Sequence, residues 1–347
     1  MPALNRRRYV VAAILTLLSL VGLYFLIPKL VGLKETWGEL KRGDPLLLVL
    51  AGLLEMLSVG GYVVLFHTVF HSSSKRITWR ASVEIALAGI AAIRLLAAAG
   101  AGGIAVSAWA LRRAGVAAAT IVRRMVATYA IQYSIYIGAL IVCGLGLWSG
   151  VIAGGGTFGI TVVPALFGLL LLALFLGMAL VPDDFQRRLD RLARRRDRIG
   201  SWAVRLASAP AIVGAGVRTA LALARERPIG LLGALAYWGL DITVLGLSFQ
   251  AFGQGMSLGV LIMGYFLGTL GSLLPLPGGI GGVEGGMIGA FVVFGIPDGR
   301  ALIGVLVYRA ISFWLPTLPG IFGYVRLRRT ARDWRQADEQ PARAFNA

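Results

Sequence analysis

The sequence predicts an all-α polytopic membrane protein: six transmembrane helices plus two oppositely oriented re-entrant helical hairpins forming an inverted repeat. Three observations lead there. The 347 residues are 57% hydrophobic and only 14% charged, against about a quarter charged in a soluble domain, and mean hydropathy is +0.78. Apolar runs of the roughly 20 residues needed to cross hydrocarbon recur along the chain. The 34 basic residues, which outnumber 16 acidic ones for a net charge of +18, gather in clusters between those runs.

Basic clusters belong on the cytoplasmic side, so the arginines set the topology. Arg6, Arg7 and Arg8 place the N-terminus inside, and "YVVAAILTLLSLVGLYFLI" (9–27) reads as a retained signal anchor that exits. The nearly neutral loop 28–45 follows, and a second span over about 46–70 returns to "HSSSKRITWR". The stretch 81–111 then ends at Arg112 and Arg113, with Arg123 and Arg124 just beyond. A single crossing would strand four arginines outside, and thirty residues are too few for two spans. A re-entrant hairpin turning at Gly100, Gly102 and Gly103 resolves this, its irregular turn lying in protein or a wet cavity.

Two ordinary spans, about 125–148 and 158–181, flank the uncharged "SGVIAGGGT". The segment 182–228 has eleven arginines against five acidic residues and reads as a basic cytoplasmic loop. Within it "RRLDRLARRRDR" places leucines on one helical face, as in an amphipathic helix resting on anionic lipid headgroups. A span over about 229–252 exits to "GQGMS", and the last, about 301–325, ends inside at "RLRR" before a cytoplasmic tail, 327–347. The stretch 258–296 therefore starts and ends outside, as a second hairpin.

"LLAAAGAGGIA" from Leu95 and "LLPLPGGIGGV" from Leu273 align at an offset of 178, one in each hairpin. The units are a first repeat, 45–181, and a second, 229–326, with the opposed hairpins expected of alternating access around a midplane site. In the second turn Pro275 and Pro277 interrupt the incoming half-helix, and Gly278, Gly279, Gly281 and Gly282 allow the sharp reversal. Gly281, Gly285 and Gly289 have small-xxx-small spacing for close helix approach. A half-helix beginning near Gly282 would carry Glu284 in its first turn, either complementing the dipole or serving as a buried functional carboxylate.

Ionisable residues at membrane depth are costly and mark pathways. They are Glu55, Arg94, Asp241, Glu284 and Arg309, with Glu84 expected near the interface. An arginine there suits a phosphate, which its planar fork binds bidentately. The alternative is mutual pairing, Glu284 with Arg309 and Glu55 with Arg94. His67 and His71 share a helical face without the glutamate of a zinc protease motif, and the lone Cys143 excludes a disulfide framework. The basic runs lack interleaved aromatic platforms, so nucleic acid is not the expected partner. No cofactor or nucleotide loop is indicated, and oligomeric state is left open.

At "LPLPGGIGGVEGG", with the weaker "AAAGAGG", the basic central segment and the terminal span, the chain resembles the flippase-like membrane domain of lysylphosphatidylglycerol synthetases, in its stand-alone form. The pattern is carried by Pro277, Gly278, Gly279, Gly281 and Glu284, while Ala97 and Ala99 stand where a second proline turn could be expected. The resemblance implies a non-enzymatic lipid transporter of a bacterial cytoplasmic membrane, with both termini cytoplasmic, moving a phospholipid or polyprenyl-linked lipid between leaflets. A small-solute carrier is the main alternative, and an integral-membrane lipid-modifying enzyme a weaker one.

Overall fold

The computed structural model describes residues 43–95, 101–180, 199–274 and 279–345, side chains at 199–209 and 340–345 excepted. The expected first span, the segment 182–198, and turn residues Gly100, Pro275, Pro277 and Gly278 lie outside the described residues. Within them the chain is helical, with five helices long and apolar enough to cross a membrane.

α1 (Pro45–Phe70) starts at Asp44, whose carboxylate accepts from the Leu46 and Leu47 amides, with Pro45 at the position where a missing N–H costs nothing. α2 (Trp79–Leu95) and α3 (Ala101–Arg113) form the first hairpin. Gly103 lies against the Gly89 carbonyl and Ile93, and Gly89 against Ser107, so the two helices run antiparallel. α4 (Ala118–Trp148) and α5 (Phe158–Ala179) are ordinary spans.

α6 (Ile199–Glu226) replaces the expected loop over its own residues, within the basic segment 182–228. It is a helix packed on α4 and α5: a Cβ on Gly214 would lie 2.1 Å from the Met178 carbonyl, and one on Gly216 would strike Val126. Arg218 donates to the Ala179 carbonyl at 2.8 Å. Small residues on one face let it approach, and its arginines kept it from reading as apolar.

α7 (Pro228–Gln250) leads to the second hairpin, α8 (Leu258–Thr269), a 3₁₀ turn (Leu270–Leu273) and α9 (Gly282–Val293). Here the structure corrects a phase. Gly281, Gly285 and Gly289 face open space, whereas Gly282 and Gly286 pack on the Gly271 and Gly268 backbone. The close-approach stripe lies one residue along from the small-xxx-small row expected. Gly279 and Gly281 have φ of 69° and 85°, the left-handed region that makes the turn.

α10 (Asp298–Arg309), a π-helical turn (Ala310–Trp314) and α11 (Leu315–Phe345) run on as one long helix. The segment taken as a tail is thus helical to Phe345; Leu327 and Ala331 are buried, and Asp338 pairs with Arg76 at 2.6 Å.

The halves correspond. α3 and α9 end alike, Gly115 and Gly295 at positive φ, with Val116 N–H on the Leu111 carbonyl and Ile296 N–H on that of Phe291. The offset at these positions is 180, and α4 and α10 begin at 118 and 298. The opening helices α1 and α7 cross antiparallel at a glycine contact: a Cβ on Gly61 would sit 2.6 Å from the Gly233 carbonyl, and Ser58 Oγ donates to that of Tyr237 at 2.8 Å. Each hairpin leans on the closing helix of the other half. Gly320 and Gly323 of α11 pack on α2 beside Leu87, while the Tyr136 hydroxyl of α4 donates to the Phe266 carbonyl of α8 at 2.8 Å.

Contacts sort the loops to two ends. Asp44 N–H bonds to the Ala251 carbonyl, and a Cβ on Gly154 or Gly156 would meet Ser257 or Phe294, so the second hairpin begins and ends at that end. Ser74 bonds to Ala114, and Arg124 to Val69 and Ser72, so the first hairpin begins and ends at the other, where the arginines lie. At about 1.5 Å per residue the 12-residue helices α8 and α9 extend about 18 Å, short of the roughly 30 Å hydrocarbon core.

Candidate functional site

All five ionisable residues expected at depth meet in one chain of contacts across the two halves. Glu55 of α1, 2% exposed, has its Oε1 3.7 Å from Arg94 Nη2 at the end of α2. Its carboxylate neighbours that of Asp241 on α7, close enough for the two to interact electrostatically. The Asp241 carboxylate accepts from the Tyr265 hydroxyl of α8 and from the Tyr308 hydroxyl of α10, the latter 3.1 Å from both oxygens. Next to Tyr308, Arg309 donates from Nε to Glu284 Oε1 at 2.6 Å. Glu284 Oε2 accepts from the Gly281 N–H at 2.6 Å.

Glu284 fits the first of the two readings made of it. It accepts from the Gly281 amide at the start of α9, as its first-turn position predicts, and it pairs with Arg309. The pairing alternative, Glu284 with Arg309 and Glu55 with Arg94, is the arrangement found. The two pairs differ in tightness: 2.6 Å is a charge-assisted hydrogen bond, whereas 3.7 Å is ion-pair contact without one. Arg94 spends Nη1 instead on the Phe313 carbonyl, at 2.9 Å.

Phe313 joins the halves. It lies in the π-helical turn, where the widened backbone changes which carbonyls face outward. Its carbonyl accepts from Arg94 and from Thr317, and its ring stands 6.0 Å from the Arg94 guanidinium carbon and 5.3 Å from that of Arg309, within cation–π range. One arginine from each half thus shares one aromatic ring. Neither is sealed, at 17% and 15% side-chain exposure. At the tip ends of the two hairpins, and next to Phe313, Leu95, Leu273, Leu274, Ile280 and Trp314 are more than half exposed. A polar centre with an apolar rim can hold a charged headgroup while chains remain in lipid.

Tyr265, Tyr308 and Phe313 escaped the sequence reading, because an aromatic in an apolar run looks like packing. The one available signal was Tyr308 directly before an intramembrane arginine. Glu84, expected near the interface, is buried against other residues near the start of α2, accepting from Arg80 at 3.1 Å and Thr330 at 2.7 Å. His67 stacks on Trp79 and bonds to Ser82, while His71 contacts Arg227, which accounts for both histidines. Cys143 is buried. Gly102 and Gly103 lie in the first turn of α3 and Gly279, Gly281 and Gly282 at the start of α9, so the described hairpin glycines flank the two tips. A cavity of about 410 Å³ between Phe249–Gln254 and Arg300–Gly304 lies at the end of α7, apart from these charges.

Relatives are membrane proteins without a stated activity. Stretches of the chain are 43% identical over 88 residues, and 37% identical over 111, to two UPF0104 membrane proteins of Methanothermobacter thermautotrophicus. These matches cover 25% and 32% of this chain and 26% and 32% of those relatives, respectively. No solved structure matches significantly. The model of the lysylphosphatidylglycerol synthase TM region matches residues 10–320, and the chain, helical and polytopic, with its Pro-Gly-Gly sequence at 277–279, belongs to that family.

Proposed function

We propose that the protein moves an amphiphilic lipid, a phospholipid or a polyprenyl-linked lipid, between leaflets by alternating access, as a transporter and not an enzyme. The observation that carries this is the pair of incompletely buried arginines, one from each half, on the Phe313 ring beneath an apolar rim. In this reading α2–α3 and α8–α9 are re-entrant hairpins, entering from opposite faces and meeting at mid-membrane. An anionic phosphate takes the place of Glu55 beside Arg94 and draws on Arg309, while the acyl chains stay outside, against Leu273, Leu274 and Ile280. Rocking the halves about the Gly61–Gly233 contact would open the charges to either side in turn.

The exposed apolar rim favours this over a small-solute carrier, whose site would be closed to lipid. The arginine-rich end, exposing Arg112, Arg113, Arg123, Arg225, Arg328 and Arg329, is read as cytoplasmic and resting on anionic headgroups, with both termini on that side. The setting would be a bacterial cytoplasmic membrane.

In vesicles loaded with labelled phospholipid, Glu284→Gln and Arg94→Ala should abolish translocation while elution and helicity stay unchanged. Wild-type rates in both variants would sink the site. Mass spectrometry of copurifying lipids should show a species enriched on wild type and lost on Arg94→Ala.

A further inference from the structure

The polar chain has one unmet demand. Glu55 Oε2 is fully buried and has no hydrogen-bond donor, although its carboxylate faces Asp241. Two ionised carboxylates in contact away from water repel, and each needs donors. Asp241 has them, from Tyr265 and Tyr308. Glu55 has only Arg94, at ion-pair distance from its other oxygen.

We propose that Glu55 and Asp241 hold one proton between them, on Glu55 Oε2 and donated to Asp241, as a proton-binding site at the centre of the bundle. The proton meets both defects at once: it gives the orphaned oxygen a hydrogen bond and removes the repulsion. The charge count agrees. Among the described residues the connected set has three carboxylates, Glu55, Asp241 and Glu284, and two guanidiniums, Arg94 and Arg309. Fully ionised it keeps one negative charge in a low-dielectric interior, and one proton neutralises it. The other groups facing the pair are Tyr237 on α7, Tyr265 on α8, and Tyr308 with the neighbouring Arg309 on α10, none of which supplies a second positive charge to Glu55.

Protonation of Glu55 also decides what Arg94 does. With Glu55 neutral, Arg94 has no carboxylate partner and its second guanidinium edge is open to an anion. With Glu55 ionised, Arg94 is drawn back. Proton and anionic headgroup therefore bind together, a linkage that rests on the lipid reading above, whereas the shared proton itself does not.

The test is infrared spectroscopy of the whole protein in an ester-free, sodium-free detergent at neutral pH, in H₂O and in D₂O. Wild type should show a carboxylic-acid C=O band that shifts down in D₂O. Glu55→Gln should lose it, and Asp241→Asn should lose it too, because Glu55 relieved of its neighbour would ionise against Arg94. Asp338→Asn, whose exposed pairing with Arg76 lies outside the connected set, should retain it and serves as the control. No such band in wild type, or a band surviving in Glu55→Gln, overturns the proposal. Replacement of the band by carboxylate signals when Na⁺ is added would also overturn it, assigning a metal-cation site instead. No lipid substrate is present, so failure here is distinct from failure of transport.

Discussion

Gly271→Ala tests whether the glycine face of the second hairpin is what holds Glu284 against Arg309. A Cβ on Gly271 would lie 2.0 Å from the Gly282 carbonyl oxygen and 2.8 Å from the Val283 nitrogen, backbone atoms that cannot rotate away. Ordinary contact begins at 3.4 Å, so the start of α9 must retreat by about 1.4 Å, as overpacked contacts force backbone shifts. Taken along the Arg309–Glu284 direction, that lengthens their 2.6 Å bond to roughly 4 Å, the outer limit of an ion pair. Overpacking costs about 1–3 kcal/mol, and the lost charge-assisted bond a further ~1.5–3 kcal/mol. The single variant should thus lose about 2.5–6 kcal/mol. Glu284→Gln alone should lose about 2–3 kcal/mol, since the partners keep some contact with solvent. The assay is reversible unfolding in mixed micelles, run as a double-mutant cycle. Once Gly271→Ala has parted the pair, Glu284→Gln has little left to remove, and the double variant should fall short of additivity by more than about 1 kcal/mol. Additivity to within ~0.5 kcal/mol would refute the reasoning, because α9 would then have absorbed the methyl without moving Glu284.

Gly233→Ala places a Cβ 2.7 Å from the Gly61 carbonyl and 3.0 Å from Leu65 N, so the same micelle titration should show a loss of about 1–3 kcal/mol. Phe313→Ala removes the ring shared by the two arginines and should weaken retention of the copurifying lipid by about 1–2 kcal/mol, roughly five- to thirtyfold; unchanged retention would remove the ring from the site. With Cys143 replaced, cysteines at Ser149 and Ser257, which lie at the same end of the bundle, should both react with an impermeant reagent from outside. Failure of both would invert the topology. Arg76→Ala opens the exposed contact with Asp338, and the melting temperature should stay put at any salt concentration.

The pattern of arginines exposed more of this molecule than hydropathy did. It set both hairpins at opposite ends, because stranding Arg112, Arg113, Arg123 and Arg124 outside is costly whatever the packing. The charges at depth were legible for the same reason, and so were their partners, since few acids and bases lie there to pair. What stayed hidden depends on three-dimensional phase. Gly282 and Gly286 pack while Gly281 and Gly285 do not, and a glycine-rich run carries no mark of which face meets a neighbour. Residues 199–226 read as loop because arginines interrupt their apolar face, although Gly214 and Gly216 seat that helix on two spans. Phe313 acts through a backbone carbonyl and a ring, and spacing cannot foretell either.

Because α2 leans on α11 and α8 on α4, neither half is finished by its own residues. During synthesis the first hairpin leaves the ribosome some 230 residues before the helix that will seat it. Until then its charged end, Arg94, has no settled place in the lipid. An insertion factor or the translocon must shelter it, or it must wait at the surface. The slow event in biogenesis is accordingly the late docking of α11. A chain halted before that helix would present quality-control proteases with a first hairpin still missing the helix it packs against.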